Sequence, residues 1–322
     1  MIFDLCGKRV FVAGHRGMVG SALVRRLMSE DCLIQTLGRE IVDLRDQDAV
    51  IRWFDQHRPQ AVFVAAARVG GIHANDTHPG DFLYDNLAIA TNVIEAARRA
   101  EVQKLVFFGS SCIYPRLAPQ PIPESALLSG PLEPTNQWYA VAKIAGLKLC
   151  EAFRRQHGCD FVSVMPTNLY GPGDNFDLAT GHVLPALVAK IDDAVQCGRQ
   201  TVEIWGSGNP RREFLHVDDL ADAAVFLMRT WSDDEHVNIG TGEDITIAEL
   251  ARLVARVVGF DGRFVFDASK PDGTPRKLLD VSKLTALGWR YRTYLETGIR
   301  QTYGWYRKEK TRHPEAVRRR TA

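Results

Sequence analysis

Tyr139 and Lys143 stand four residues apart, so on a helix they share one face. A phenol beside an ammonium is easier to ionise, because a nearby positive charge favours the anion. A free tyrosine, with a pKa of about 10, is a poor acid–base group at neutrality. Lys143 is therefore expected to bring Tyr139 down toward the useful range. Upstream, Lys104 to Gly109 reads as a buried strand that delivers Ser110 to its C-terminal end, where open parallel sheets bind ligands. A serine there can hold a carbonyl oxygen against the phenol. Together the three side chains form a proton donor aimed at a C=O, which hydride transfer to a ketone requires. Cys112, two residues past the serine, is a group that plain reduction does not need. A thiol, with an ordinary pKa of about 8.5, serves as a base if modestly activated. A small core residue is the other reading of a lone cysteine near a strand end.

A hydride needs a carrier. Gly14-His15-Arg16-Gly17-Met18-Val19-Gly20 follows the first strand and opens the first helix. Glycines there let the backbone turn tightly and approach a pyrophosphate, whose charge suits a helix N-terminus. The spacing is G-x-x-G-x-x-G rather than the usual G-x-G-x-x-G, but strand–turn–helix is the confirming context. The second strand ends near Gly38-Arg39, where NAD-binding sheets carry an acidic residue for the ribose 2′-hydroxyl. Here Arg39 comes first, and Arg16 lies in the glycine loop. Two guanidinium groups suit a 2′-phosphate, so NADPH is expected in preference to NADH, although Glu40 and Asp43 follow closely.

These groups require a sheet to position them. Strand-like segments at 8–13, 33–37, 60–66, 104–109 and 160–164 alternate with helix-like segments at 17–29, 47–56, 79–100 and 136–157. Continuous apolar strands between helices mean a parallel sheet covered on both faces. The expected fold is α/β: a Rossmann-type doubly wound parallel sheet with a smaller mixed α/β substrate lobe. Residues 1–170 form the cofactor-binding part and 171–310 the lobe, with some of its segments returning to the main sheet. Within the lobe, strands at 202–205, 237–239 and 263–266 mix with helices at 183–195, 218–229 and 247–258. Residues 311–322, with Arg318-Arg319-Arg320, read as a solvated tail.

The chain has 322 residues and a formal net charge of only +1, which gives no push toward nucleic acid or membrane. No apolar run is long enough to span a bilayer. Six scattered cysteines include no C-x-x-C pair and no metal-ligand spacing, so free thiols, a reducing cytoplasm and no metal are expected. The N-terminus has neither a basic nor a long apolar region of the signal-peptide kind.

Several longer runs carry a family resemblance. They are Val12–Gly20, Ala65-Ala-Ala-Arg-Val-Gly-Gly-Ile72, Gly109-Ser-Ser-Cys-Ile-Tyr-Pro115, Leu132-Glu-Pro-Thr-Asn136, Val164–Pro172, Arg212–Asp219 and Lys270–Lys277. With them the chain resembles the extended short-chain dehydrogenase/reductases of nucleotide sugars, and within these the 3,5-epimerase-4-reductases of GDP-4-keto-6-deoxy-D-mannose. The resemblance implies NADPH-dependent formation of GDP-L-fucose, by epimerisation at C3 and C5 and then reduction at C4. A 4-epimerase, a 4-reductase or a non-catalytic NADPH sensor are the alternatives. It implies that Cys112 and His182 exchange the C3 and C5 protons while Ser110, Tyr139 and Lys143 serve the reduction. It further implies a cofactor lining of Asp43, Leu44, Phe108, Gly109, Ser110, Ser111, Lys143, Pro166, Thr167, Asn168, Leu169 and His182, besides the glycine loop and Arg39. Lys190, Trp205, Arg212 and Asp272 match nucleotide-sugar contacts. Lys190 replaces a common arginine and Trp138 a common proline. Finally, it implies a homodimer in which helices 79–100 and 136–157 pair into a four-helix bundle. Leu83, Leu87, Ile94, Ile144 and Leu147 are the candidate apolar positions.

Overall fold

The computed structural model describes residues 2–312, except Ala179, Pro271 and the side chains of Ile72 and His73. The first half runs β1 (Arg9–Ala13), α1 (Met18–Leu27), β2 (Leu33–Thr36), α2 (Gln47–His57), β3 (Ala61–Val64), α3 (Ile72–Thr77), α4 (Pro79–Arg99), β4 (Lys104–Phe108), α5 (Gln137–His157) and β5 (Phe161–Pro166). The second half runs β6 (Asn168–Tyr170), α6 (Val183–Gln196), β7 (Thr201–Trp205), β8 (Arg211–His216), α7 (Val217–Thr230), β9 (Val237–Ile239), β10 (Asp244–Thr246), α8 (Ile247–Val258), β11 (Arg263–Asp267), β12 (Arg276–Lys277), α9 (Ser282–Ala286) and α10 (Leu295–Arg312).

Six parallel strands form the main sheet in the order β2-β1-β3-β4-β5-β9. The strands from β3 to β5 are buried on both faces, and alternate side chains feed two separate cores. Phe11, Val62, Val64, Leu105 and Phe107 meet α2, α4 and α5 on one face. Val12, Phe63, Val106, Val162 and Val164 meet α1 and α7 on the other. Each such apolar side chain contributes about 1.5–3 kcal/mol when fully buried, which makes this sheet a rigid base for the loops at its C-terminal edge.

Within 171–310, α7 and β9 thus complete the main sheet. A third core, of α6, α8, α10, β7 and β8 residues, makes the smaller lobe. The lobe's strands are β10-β8-β12, with β6 also on β8, and the parallel pair β11-β7. The C-terminal helix α10 is absent from the sequence reading, because its long polar run buries only Gly298, Ile299, Thr302 and Tyr306. It takes in residues 311 and 312, expected as tail; 313–322, including Arg318-Arg319-Arg320, lie outside the described residues.

The candidate dimer positions divide. Ile94 and Leu147 are spent on the core beneath α4 and α5, since they point at the sheet. Leu83, Leu87 and Ile144 are half-buried, and the exposed large apolar residues of these helices are Tyr84, Trp138 and Val141. Among the described residues no helix is long and apolar enough to cross a membrane, and no His, Cys, Asp and Glu cluster is placed to hold a metal ion.

Candidate active site

The glycine loop sits where the sheet order reverses, between β1 and β3. Gly14 has φ +84, and a Cβ there would lie 2.7 Å from Ala66 Cα; one on Gly20 would lie 2.1 Å from Gly14 O. Gly17 caps α1 without a side-chain hydrogen bond, and a Cβ on it would meet only Gly14 O, at 3.5 Å. The first turn of α1, with Met18 and Val19, therefore offers its N–H groups beside an open backbone face. That cradle fits a pyrophosphate.

The two expected 2′-phosphate ligands are both held by carboxylates. Arg16 forks onto Glu40, with Nη1 donating to Oε2 at 2.8 Å and Nη2 donating to Oε1. Arg39 reaches Asp43 at 3.3 Å. Arg45 also binds Asp43, and its hydrogen bonds hold that carboxyl down at about 2. Asn92 donates to Leu44 O at 3.0 Å and so fixes the neighbouring backbone. Desolvation and Arg16 lower the His15 imidazole below its ordinary range.

Phe108 ends β4, and Gly109 follows. A Cβ on Gly109 would strike Met165 Sδ at 2.2 Å, so the chain leaves the sheet tight against β5. Ser110 then caps a single 3₁₀ turn, Ser111–Ile113, by accepting from Cys112 N at 3.3 Å, and Ser111 is buried. The Ser110 hydroxyl also lies close enough to Tyr139 to favour its anion, so the strand end and the first turn of α5 do meet. Lys143 is buried one turn further on. Its Nζ donates to Phe108 O at 2.7 Å and lies 5.7 Å from the Tyr139 ring centroid.

The expected effect of Lys143 on Tyr139 is overturned. Burial raises the phenol above its ordinary value, the nearby Cys112 sulfur adds to this, and only the Ser110 hydroxyl opposes it. Lys143 itself is lowered to about 8 by burial. The phenol thus stays protonated near neutrality, and the lysine is the member of the pair that titrates there.

Cys112 is partly exposed, and its sulfur accepts from Asn136 Nδ2 at 3.3 Å and from Lys277 Nζ at 3.9 Å. The Lys277 charge is also felt at His182, where it joins desolvation by the cleft walls in lowering the imidazole below its ordinary value. His182 is the N-cap residue of α6, and its edge remains open to solvent. A hydrogen-bonded loop brings it there. Asn175 Oδ1 accepts from Asp177 N, Asp177 Oδ1 accepts from Thr180 N, and Gly71 N donates to Thr180 O at 2.9 Å. The Ala65–Ile72 run therefore serves as the dock for the histidine loop.

Lys277 and Asn136 were missed as individual site residues. Both lie inside quoted runs, yet only the fold shows them converging on one sulfur. The placement of Lys277 is secured by Glu213, a buried carboxylate that accepts from Thr241 N (2.6 Å), Gly242 N (2.8 Å) and Leu279 N (3.0 Å) and so ties β12 to β8. The same residue's carbonyl receives Asn168 Nδ2 at 2.8 Å, while Thr167 N donates to Ile239 O; Pro166 to Leu169 thus bridge the two sheets.

In the smaller lobe Trp205 is 57% exposed, with Lys190 Nζ 5.2 Å and Lys270 Nζ 5.6 Å from its ring. It is a displayed aromatic face rather than a core residue. Desolvation lowers Lys190. Arg212 lies beside Lys277 on β8, buried enough for its guanidinium to be lowered, with Cys112, Asp272 and Glu133 pulling the other way. Asp272 is already engaged: it accepts from Ser207 N and Ser207 Oγ, both at 2.7 Å. Its visible work is to fold the Gly206–Pro210 turn next to Trp205. Trp138 projects from the first turn of α5 without disturbing the helix or the Tyr139–Ser110 contact.

The pattern of the NAD dependent epimerase/dehydratase family matches residues 10–240. The chain is 56% identical over 302 residues to GDP-L-fucose synthase of Sinorhizobium fredii, covering 94% of this chain and 96% of that one. It is 53% identical over 315 residues to GDP-L-fucose synthase of Escherichia coli, covering 95% and 98%. Among solved structures it is similar to a GDP-L-fucose synthetase from Naegleria fowleri bound to NADP, with TM-score 0.90, 31% identity, and coverage of 99% of this chain and 97% of that one.

Proposed function

The chain belongs to the NAD dependent epimerase/dehydratase family, and we propose that it converts GDP-4-keto-6-deoxy-D-mannose to GDP-L-fucose with NADPH, by epimerisation at C3 and C5 followed by reduction at C4. One observation carries this reading. The Cys112 sulfur is held by Asn136 and Lys277 in the same cleft as the Ser110–Tyr139 couple, so a proton-exchanging group and a carbonyl-directed donor face one substrate.

The C4 ketone acidifies the hydrogens at C3 and C5. Cys112 removes a proton from one face of the sugar, and His182 returns one to the other. Ser110 and Tyr139 hold the C4 oxygen while charge collects on it, and fixed donors aimed at such an oxygen are a large catalytic effect. The glycine loop, Gly14 to Gly20, would hold NADPH, which would supply the hydride for C4. Tyr139 then gives its proton to the C4 oxygen; its raised pKa keeps the phenol protonated, the state a donor needs. Lys143 anchors this turn of α5 to the Phe108 carbonyl. Trp205, Lys190 and Arg212 take the GDP end, with cations for the diphosphate and a flat face for the base or sugar.

Cofactor binding falls to residues 1–170 with α7 and β9, and substrate binding to the remaining lobe. The working unit is a homodimer in the cytoplasm, built on α4 and α5, whose outer surface displays Tyr84, Trp138 and Val141. Tyr84→Asp should shift a dimer to a monomer in light scattering; an unchanged mass places the interface elsewhere. The activity itself is tested by supplying the keto sugar and NADPH and solving the product by NMR. The L-galacto configuration, with one NADPH consumed per product, is expected. A C4 alcohol with C3 and C5 uninverted would make the protein a plain 4-reductase.

A further inference from the structure

The Arg16–Glu40 pair has no part in the chemistry above, yet it occupies the place where the adenosine ribose of a dinucleotide is read. In dinucleotide-binding sheets the residue after the second strand contacts the 2′ position: a carboxylate takes a 2′-hydroxyl, and an arginine takes a 2′-phosphate. This chain has both groups there, and they bind each other. Arg16 comes from the glycine loop and Glu40 from the turn after β2, and the contact is a two-pronged fork between largely exposed side chains. Glu40 bends back through a turn in which Ile41 N donates to Gly38 O at 3.0 Å. The turn passes so close that a Cβ on Gly38 would lie 2.1 Å from Glu40 Oε1. Gly38 therefore leaves the room in which the carboxylate reaches the arginine.

We infer that Glu40 sets the discrimination between NADPH and NADH, by holding Arg16 when no 2′-phosphate is present and surrendering it when one arrives. The inference rests on the reading of the glycine loop as an NADPH site. A guanidinium forks onto phosphate as readily as onto carboxylate, so the two compete for the same donors. The carboxylate also repels the phosphate it gives way to. With NADH it can instead accept from the free 2′-hydroxyl. Glu40 thus weakens NADPH, supports NADH and narrows the gap between them. Arg39, paired with Asp43, supplies the second cation.

The test is equilibrium binding of NADPH and NADH, by calorimetry without sugar, to the wild-type chain, Glu40→Gln and Gly38→Ala. Glu40→Gln should tighten NADPH about three- to tenfold, the range set by removing an exposed ion pair and a like-charge neighbour, and leave NADH unchanged or weaker. Gly38→Ala evicts the carboxylate from Arg16 without deleting its charge, so it should act in the same direction by a smaller factor. An NADPH/NADH ratio equal in all three proteins, or weaker NADPH binding by Glu40→Gln, would overturn the inference. Failure of NADPH to bind any of the three would overturn the cofactor reading, and this inference with it.

Discussion

Two proton-handling groups share one cleft, and they are built differently. The proposed reducing group, Ser110, Tyr139 and Lys143, comes from one strand end and the helix that follows it. Its titrating atoms are desolvated, so the phenol is raised and the lysine lowered to about 8. The proposed epimerising group, Cys112, Asn136, His182 and Lys277, is drawn from four separate segments. Its thiol is partly open to solvent and organised by hydrogen bonds and a cation around sulfur, while the cleft walls desolvate the His182 imidazole. Desolvation suits a donor that must hold its proton until a hydride has arrived. A thiol that must exchange protons freely is better left near water, steered by charge. The two steps can therefore be separated by substitution.

The largest separation is expected from Cys112→Ser. Deuterium uptake at C3 and C5 should fall on the order of 10²–10⁴-fold, the usual contribution of an acid–base group, with NADPH binding unchanged. Uptake at the wild-type rate would remove Cys112 from the mechanism. Lys277→Met keeps the thiol but removes the cation 3.9 Å from it. Exchange should slow about tenfold, equivalent to about 1.4 kcal/mol, while reduction of a sugar already inverted at C3 and C5 changes little. Equal losses in both steps would make Lys277 a general substrate ligand instead.

The pH profile draws the same line. Burial lowers Lys143, so its ammonium persists below about pH 8 and is lost above it. The reduction rate should decline as pH rises through about 8, and exchange in the same samples should follow another curve. A common limb would mean that one group controls both steps. The smallest effect belongs to Asp272→Asn. It weakens the two Ser207 hydrogen bonds, loosens the turn beside Trp205, and should raise KM for the sugar nucleotide about threefold with kcat held.

The same contrast explains how much could be read from the chain beforehand. The sheet strands and the long helices announce themselves through unbroken apolar runs and regular spacing. Ser110, Tyr139 and Lys143 lie close enough in sequence for one helix and one strand end to unite them. Lys277 is 165 residues from Cys112, and its placement depends on Glu213 tying β12 to β8, a carboxylate whose partners, three backbone amides and the Thr241 hydroxyl, are all distant in sequence. The Tyr139 shift was misjudged because spacing shows the neighbouring lysine but not the desolvation that outweighs it, nor the Phe108 carbonyl that claims its ammonium. Arg16 and Arg39 read as free cations because Glu40 and Asp43 could not be seen reaching back to them. Helix α10 was missed because its few apolar positions are diluted by charge.

The most direct test uses Tyr139→Phe, supplied with GDP-4-keto-6-deoxy-D-mannose and NADPH in deuterated water and followed by NMR. Separate proton-handling groups predict that deuterium enters C3 and C5 while NADPH remains unoxidised. If exchange disappears together with reduction, Tyr139 serves both steps and the division into two groups is wrong.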